Sequence, residues 1–547
     1  MMEVARLSLV LSMAAALACS PESTHPTVAT PPPATTATPA ARGAVHRLNA
    51  IEYNATVGDV LGTKLEPATA GWREGELLGF DNMAEVLGVD EPLYGHYFAA
   101  AAALAADVID APSLRSRFVE CDLRSPECAQ QSVRRAGLRL FRRPLTEQEL
   151  QIYFGLYAGA LEAGDPPLGA FELVLQALLA SAQFVYRLEL DAPAAAAPRD
   201  LGAFDLATRL SYFLWSSAPD DELLQAAADG SLLTDAKLGA SVDRLLADPK
   251  ASRFVESFAG QWLGARRVAS HAAVPELYDW TPLVARAAGE EIVHFFGEFL
   301  LSDRSWLDFP KADVNYVTEP LARYYGIPTP EVALARVEQH PDGRAGFFGL
   351  AGFLALSSFD RRTSPSLRGR WISSTLLCAE PAPPPNGVPQ LEVSAGDGPS
   401  TLNVRQTLEL HRQNPGCAVC HAAFDPYGLA LEEYDAIGRY RTTYADGTAV
   451  DASATLPPSE AHPDGLTFTG LAGLSDVVAA DPRFGACLSQ KLLMYGLGRR
   501  LESGDHPSLA HAFERWRAPG EVPSLRRLIR ELVLSDAFRS RLPEVMP

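Results

Sequence analysis

The chain has 547 residues, enough for three or four domains of ordinary size that each bury a core of their own. Its formal net charge of −20 argues against nucleic acid or an anionic membrane surface as the main partner. Glycine and proline gather in a few stretches, so they punctuate the chain rather than make it low in complexity.

Residues 1–19 read as a signal peptide of the lipoprotein kind. Arg6 precedes the apolar run Leu7 to Ala18, which is long enough for export and too short to span a bilayer. Cleavage before Cys19 and lipidation of its thiol would make an exported lipoprotein, periplasmic or on the cell surface of a bacterium. Ala16 stands where leucine is usual and Glu3 dilutes the basic region, so a plain secretory signal is the alternative. Residues 20–43, rich in Pro, Thr, Ala and Ser, hold too few large apolar groups to offset ordering and predict a disordered tether. No later segment is apolar for long enough to cross a membrane, which leaves the lipid as the only membrane tie.

A mainly α, multi-module protein is expected beyond the tether, with a small β-hairpin in its C-terminal module. In the N-terminal helical module, 44–112, Ile51, Val57, Val60 and Leu61 suit an amphipathic helix closed by Gly62. Tyr94 to Ile109 is an alanine-rich helix. The next module, 113–191, opens with a Cys121–Cys128 loop. Val133, Leu138, Leu140 and Phe141 then mark a helix ended by Arg142-Arg143-Pro144, and Thr146-Glu147-Gln148-Glu149 is a capping box for its successor. Phe171 to Tyr186 is apolar on most faces and predicts a buried helix; Ala192 to Pro198 is linker by composition.

In the central module, 199–330, Leu206, Leu210, Phe213 and Leu214 share one helix face. Asp220, Asp221 and Glu222 are expected to cap the following helix rather than to bind calcium. A long helix over 280–302 carries Glu290, Glu291, His294 and Glu298. Glu291-x-x-His294 is half of a di-iron carboxylate motif, but no second half is present, so an exposed polar face is expected. The module 331–385 ends in Pro381-Ala382-Pro383-Pro384-Pro385, read as an extended connector that separates the helical body from the C-terminal module.

The C-terminal module, 401–540, carries the strongest motif: Cys417-Ala418-Val419-Cys420-His421, the C-x-x-C-H pattern of covalent haem attachment. Two thiols must reach the two vinyl groups of one porphyrin while the adjacent imidazole ligates the iron. Cys417 and Cys420 are thus the candidate anchors of haem c and His421 its proximal ligand, with the other ring nitrogen expected to donate to a backbone carbonyl or water. A local disulfide and half of a zinc site are the competing explanations; no second C-x-x-C supplies the missing zinc ligands. Tyr440 to Ala454 predicts a β-hairpin turning at Asp446-Gly447, and helices are expected to resume at Ala472, Arg483 to Leu497, and Ser524 to Phe538.

Seven cysteines divide accordingly. With Cys19 on lipid and Cys417 and Cys420 on haem, Cys121 and Cys128 are the natural local pair and Cys378 and Cys487 remain; sequence does not prove that connectivity, which is expected only in an oxidising compartment.

The chain resembles planctomycete-type cytochrome c proteins, multi-module exported proteins whose modules are mostly domains of unknown function. The likeness runs from about residue 46 to about 540. Its marks are Arg47-Leu48-Asn49 with Glu52-Tyr53-Asn54, Arg142-Arg143-Pro144, Arg209 through Ser217 with Pro219 through Leu223, Arg362-Thr363-Ser364-Pro365, Asn414-Pro415 through Asp425-Pro426, and Ala430-Leu431-Glu432. The resemblance implies the haem motif and a mainly helical body, but no established reaction. Relatives often place methionine where Phe424 stands, so His411 and Met494 become the candidate distal ligands.

An exported haem-linked electron-transfer protein, with a redox partner protein and no nucleic acid, is the function expected first. A surface binding or scaffolding lipoprotein with a Cys417–Cys420 disulfide is the second. A polysaccharide-processing enzyme is the third; Asp425, Glu432 and Asp435 form the one acidic cluster worth testing for it.

Overall fold

Asn49 turns the extended pair His46–Arg47 into the first helix. Its side chain accepts the Glu52 amide at 2.8 Å while the Glu52 carboxylate accepts the Asn49 amide at 3.1 Å. This reciprocal box starts Ala50–Leu61, and Gly62, at φ +78°, ends it. The computed structural model that shows this describes residues 45–541 apart from 70, 71, 73, 190–198, 339–340, 382–402, 414 and 460–461. The expected signal peptide, Cys19, the tether, the linker at 192–198 and residues 382–385 of the proline-rich connector lie outside the described residues.

The first core is built by Glu91–Asp110, Pro126–Phe141, Glu147–Glu162 and Pro167–Leu179, packed around Leu104, Val133, Tyr157, Phe171 and Leu175. Thr146 and Glu149 form the expected capping box. The buried run from Phe171 does not reach Tyr186 as one helix. It stops at Leu179 and restarts over Ala182–Val185, and the carbonyls of Gln183, Phe184 and Tyr186 are taken by the Arg142 guanidinium at 2.6, 3.0 and 2.6 Å. Tyr186–Arg187 then pairs antiparallel with His46–Arg47.

Ala203–Trp215 is the wall between two cores, which is why so little of it is exposed. Tyr212 packs into the first core, its hydroxyl 2.8 Å from that of Thr56, while Phe213 and Trp215 enter the second. Asp220 caps Asp221–Ala228 by accepting the Leu223 amide at 2.9 Å and pairs with Arg244 at 2.7 Å, as a first-turn acid should. The second core runs through aromatic contacts from Phe213 and Phe254 to Phe258, Phe296, Trp306, Phe309 and Phe347. Pro282–Leu301 lies at its centre. Glu291 on this helix is only 1 % exposed, so the expected polar outer face is wrong at that position: the carboxylate accepts from Asn315 and from the Tyr325 hydroxyl.

Ile51, expected inside, is exposed, and a helix over His506–Trp516 has no counterpart in the sequence reading. The Asp446-Gly447 turn forms, with Gly447 at φ +82° and the Tyr444 amide donating to the Thr448 carbonyl at 2.8 Å, but its arms make only the isolated bridge between Thr443 and Ala449 and no ladder. The regular ladder lies downstream, Ser453–Leu456 against Leu466–Thr469. The fold is mainly α with four short antiparallel strand pairs among the described residues. No helix among them is long and apolar enough to cross a membrane.

Candidate functional site

Three helices meet at the C-x-x-C-H motif: the motif helix Pro415–Leu429, the serine helix Pro365–Trp371, and Val404–His411. The serine helix begins where Ser364 accepts the Leu367 amide at 3.3 Å, behind Arg362-Thr363. It crosses the motif helix at two glycines. A Cβ on Gly369 would run into the Phe424 carbonyl, and one on Gly428 into the Pro365 carbonyl, so only glycine at both positions permits this approach. Residues on either side of 382–402 are therefore packed together rather than held apart.

Cys417 and Cys420 lie three residues apart, hence on one face of the motif helix, and both are free thiols of intermediate exposure. His421 follows, its ring about one-fifth exposed, with Nδ1 3.1 Å from each oxygen of Asp425 one turn on. The Asp425 carboxylate is fully buried, and the Ser366 hydroxyl, delivered by the glycine crossing, donates to its Oδ1 at 2.8 Å. The second nitrogen of His421 thus meets a carboxylate, not the backbone carbonyl or water expected from sequence. An Nδ1–H that donates to Asp425 leaves Nε2 with its lone pair, as a metal-bound imidazole requires.

His411 stands beside this ring, centroids 4.7 Å apart and nearly perpendicular. Two imidazoles on opposite sides of one metal ion hold their centres about 6 Å apart, given metal–nitrogen bonds of roughly 2 Å. At 4.7 Å the two histidines touch directly. Burial, aided by His421, holds His411 below the ordinary imidazole pKa. Met494 packs against the second core from Pro482–Leu497.

The acidic cluster proposed for a hydrolase is taken up by structure. Glu432 is fully buried, 2.9 Å from Arg441 and 3.8 Å from Arg368, and accepts from Thr363 at 3.1 Å. Asp435 accepts the Ile437 and Arg439 amides at 3.0 and 2.9 Å and so closes a turn. Among the described residues no group of three or more His, Cys, Asp and Glu is arranged to hold a metal ion directly, the Glu291-x-x-His294 half motif included. Disulfides join Cys121 to Cys128 and Cys378 to Cys487.

Five family models, each described as a protein of unknown function, match the chain in succession. Residues 46–110 match DUF1587, 128–189 DUF1595, 201–327 DUF1592, 344–444 DUF1588 and 464–538 DUF1585. The chain has the multi-domain make-up of planctomycete cytochrome c-type proteins. The fourth match takes in the serine helix, the motif helix and Glu432 together, the parts that the glycine crossing joins. No curated protein and no solved structure matches the chain.

In the sequence Ser366 is missed, and Asp425 is named only as part of an acidic cluster, not as the partner of His421. Asp425 carried a signal, because a carboxylate four residues after a helical histidine shares its face. Ser366 carried none: it comes from another helix, 55 residues earlier than His421.

Proposed function

We propose that the chain is an exported electron-transfer protein that holds one haem c on Cys417 and Cys420, with His421 as the proximal ligand. The observation that carries this is the His421–Asp425 pair: it fixes the imidazole by Nδ1 on the same helix that presents two free thiols one turn apart. When bound, the haem supplies one-electron cycling of its iron. The thiols hold it, and Asp425 and Ser366 orient the ligand.

The family make-up supports the same reading. So do the two disulfides, which belong to an oxidising compartment. A lipid on Cys19 would keep the protein at a membrane surface, where a redox partner protein exchanges the electron.

The test is maturation in a host with a haem-attachment system. A pyridine haemochrome spectrum of thioether-linked haem is expected from the native chain and from neither C417A nor C420A. A colourless native protein whose mass shows Cys417 joined to Cys420 by a disulfide would overturn the proposal in favour of a binding or scaffolding role.

A further inference from the structure

A carboxylate withdrawn completely from water must find partners. The two buried carboxylates of this region do so differently. Glu432 is met by two guanidinium groups, Arg368 and Arg441. Asp425 is met by a hydroxyl and an imidazole, and its one ion-pair partner among the described residues is His421. Among the described residues no lysine or arginine pairs with it, so its charge acts on the imidazole it touches, with His411 beyond.

The contact is built rather than incidental. His421 and Asp425 are four apart on one helix and therefore on one face. Pro426 follows at once and removes a backbone donor inside the helix, so the Ala422 carbonyl has no amide four residues on. Ser366 reaches Asp425 because Gly369 and Gly428 let the two helices meet backbone to backbone. The hydroxyl donates to Oδ1, also lies 3.4 Å from Nδ1, and so holds the carboxylate against the ring.

We infer that Asp425 is a positioning residue that locks His421 in the Nδ1–H tautomer and makes its Nε2 a more strongly donating ligand than a carbonyl-partnered imidazole. A ligand that donates more electron density stabilises ferric over ferrous iron, so the potential of the haem would be held low. The effect on iron rests on the haem assignment proposed above; the effect on the ring does not.

The experiment has two arms on the full chain. Without haem, histidine-selective 15N labelling reads the His421 tautomer, its signal assigned by loss in H421N. Native protein is expected as Nδ1–H, and D425A as the Nε2–H form usual for free imidazole. With haem, a redox titration is expected to show the potential rising from native to D425N and again to D425A, with a smaller rise in S366A. A native ring found in the Nε2–H form, a tautomer unmoved in D425A, or a haem potential unmoved in D425N would each overturn the inference. If no haem attaches, the electron-transfer proposal falls and the tautomer arm alone decides the role of Asp425. A purely structural Asp425 would lower the melting temperature without moving tautomer or potential.

Discussion

Glu291 offers a direct measure of what burial costs in this protein. The carboxyl is 1 % exposed and accepts from the Tyr325 hydroxyl at 2.6 Å and from Asn315. Loss of water raises its pKa from the ordinary 4.5 to about 7, against the opposing pull of those two donors and of Arg344. Between these values the native state keeps a proton that the unfolded chain releases. The contribution is therefore complete below pH 4.5 and is lost as pH rises through 7. A gap of about 2.5 pH units at 1.36 kcal/mol each comes to about 3 kcal/mol. Glu291→Gln is neutral at every pH and nearly the same shape. In denaturant unfolding at pH 5 and pH 8, a window that captures most of that contribution, the native chain should lose about 2 kcal/mol more between the two conditions than the glutamine variant does. Glu74, also raised to about 7 by burial, is present in both chains and cancels in the difference. Parallel pH dependences for the two proteins would refute the reasoning and place Glu291 ionised in the native state.

Gly428→Ala should destabilise the fold by at least about 1–3 kcal/mol, because its methyl meets the Pro365 carbonyl and the helices must part; an unchanged denaturation midpoint would refute this. Breaking Cys378–Cys487, which closes a separation of 109 residues, should cost about 5 kcal/mol, against about 2 kcal/mol for the 7-residue separation of Cys121–Cys128. Paired alanine variants compared by denaturant unfolding check the order, and equal losses would contradict the loop-entropy account.

Local signals in the sequence survived into the fold where the physics is local. The Thr146–Glu149 box, the Asp220 cap and the Gly62 stop each depend on groups within a few residues of one another. The failures share a different cause. Ile51 fits the helical period but finds no neighbour to cover it. Glu291 looks like a solvated face until Asn315 and Tyr325 arrive from beyond its helix. The Asp446-Gly447 turn is correctly chosen by its glycine, yet a ladder also needs flanking segments that pair, and those lie at Ser453–Leu456 and Leu466–Thr469. Turn chemistry chooses the corner, and pairing chooses the strands.

The candidate site divides along the same line. The thiols and the imidazole are legible because their spacing is set within one turn of helix, and Asp425 could have been read from that turn as well. What converts an acidic residue into a partner of His421 is its isolation from water and, among the described residues, from lysine and arginine, and that depends on a helix starting at Pro365, on Ser366 within it, and on two glycines that let it approach. Glu432, seven residues on and equally buried, shows the contrast: it meets Arg368 and Arg441 and becomes part of the framework. Two carboxylates that look interchangeable in the sequence are thus given different work by the guanidinium groups that reach one and, among the described residues, not the other.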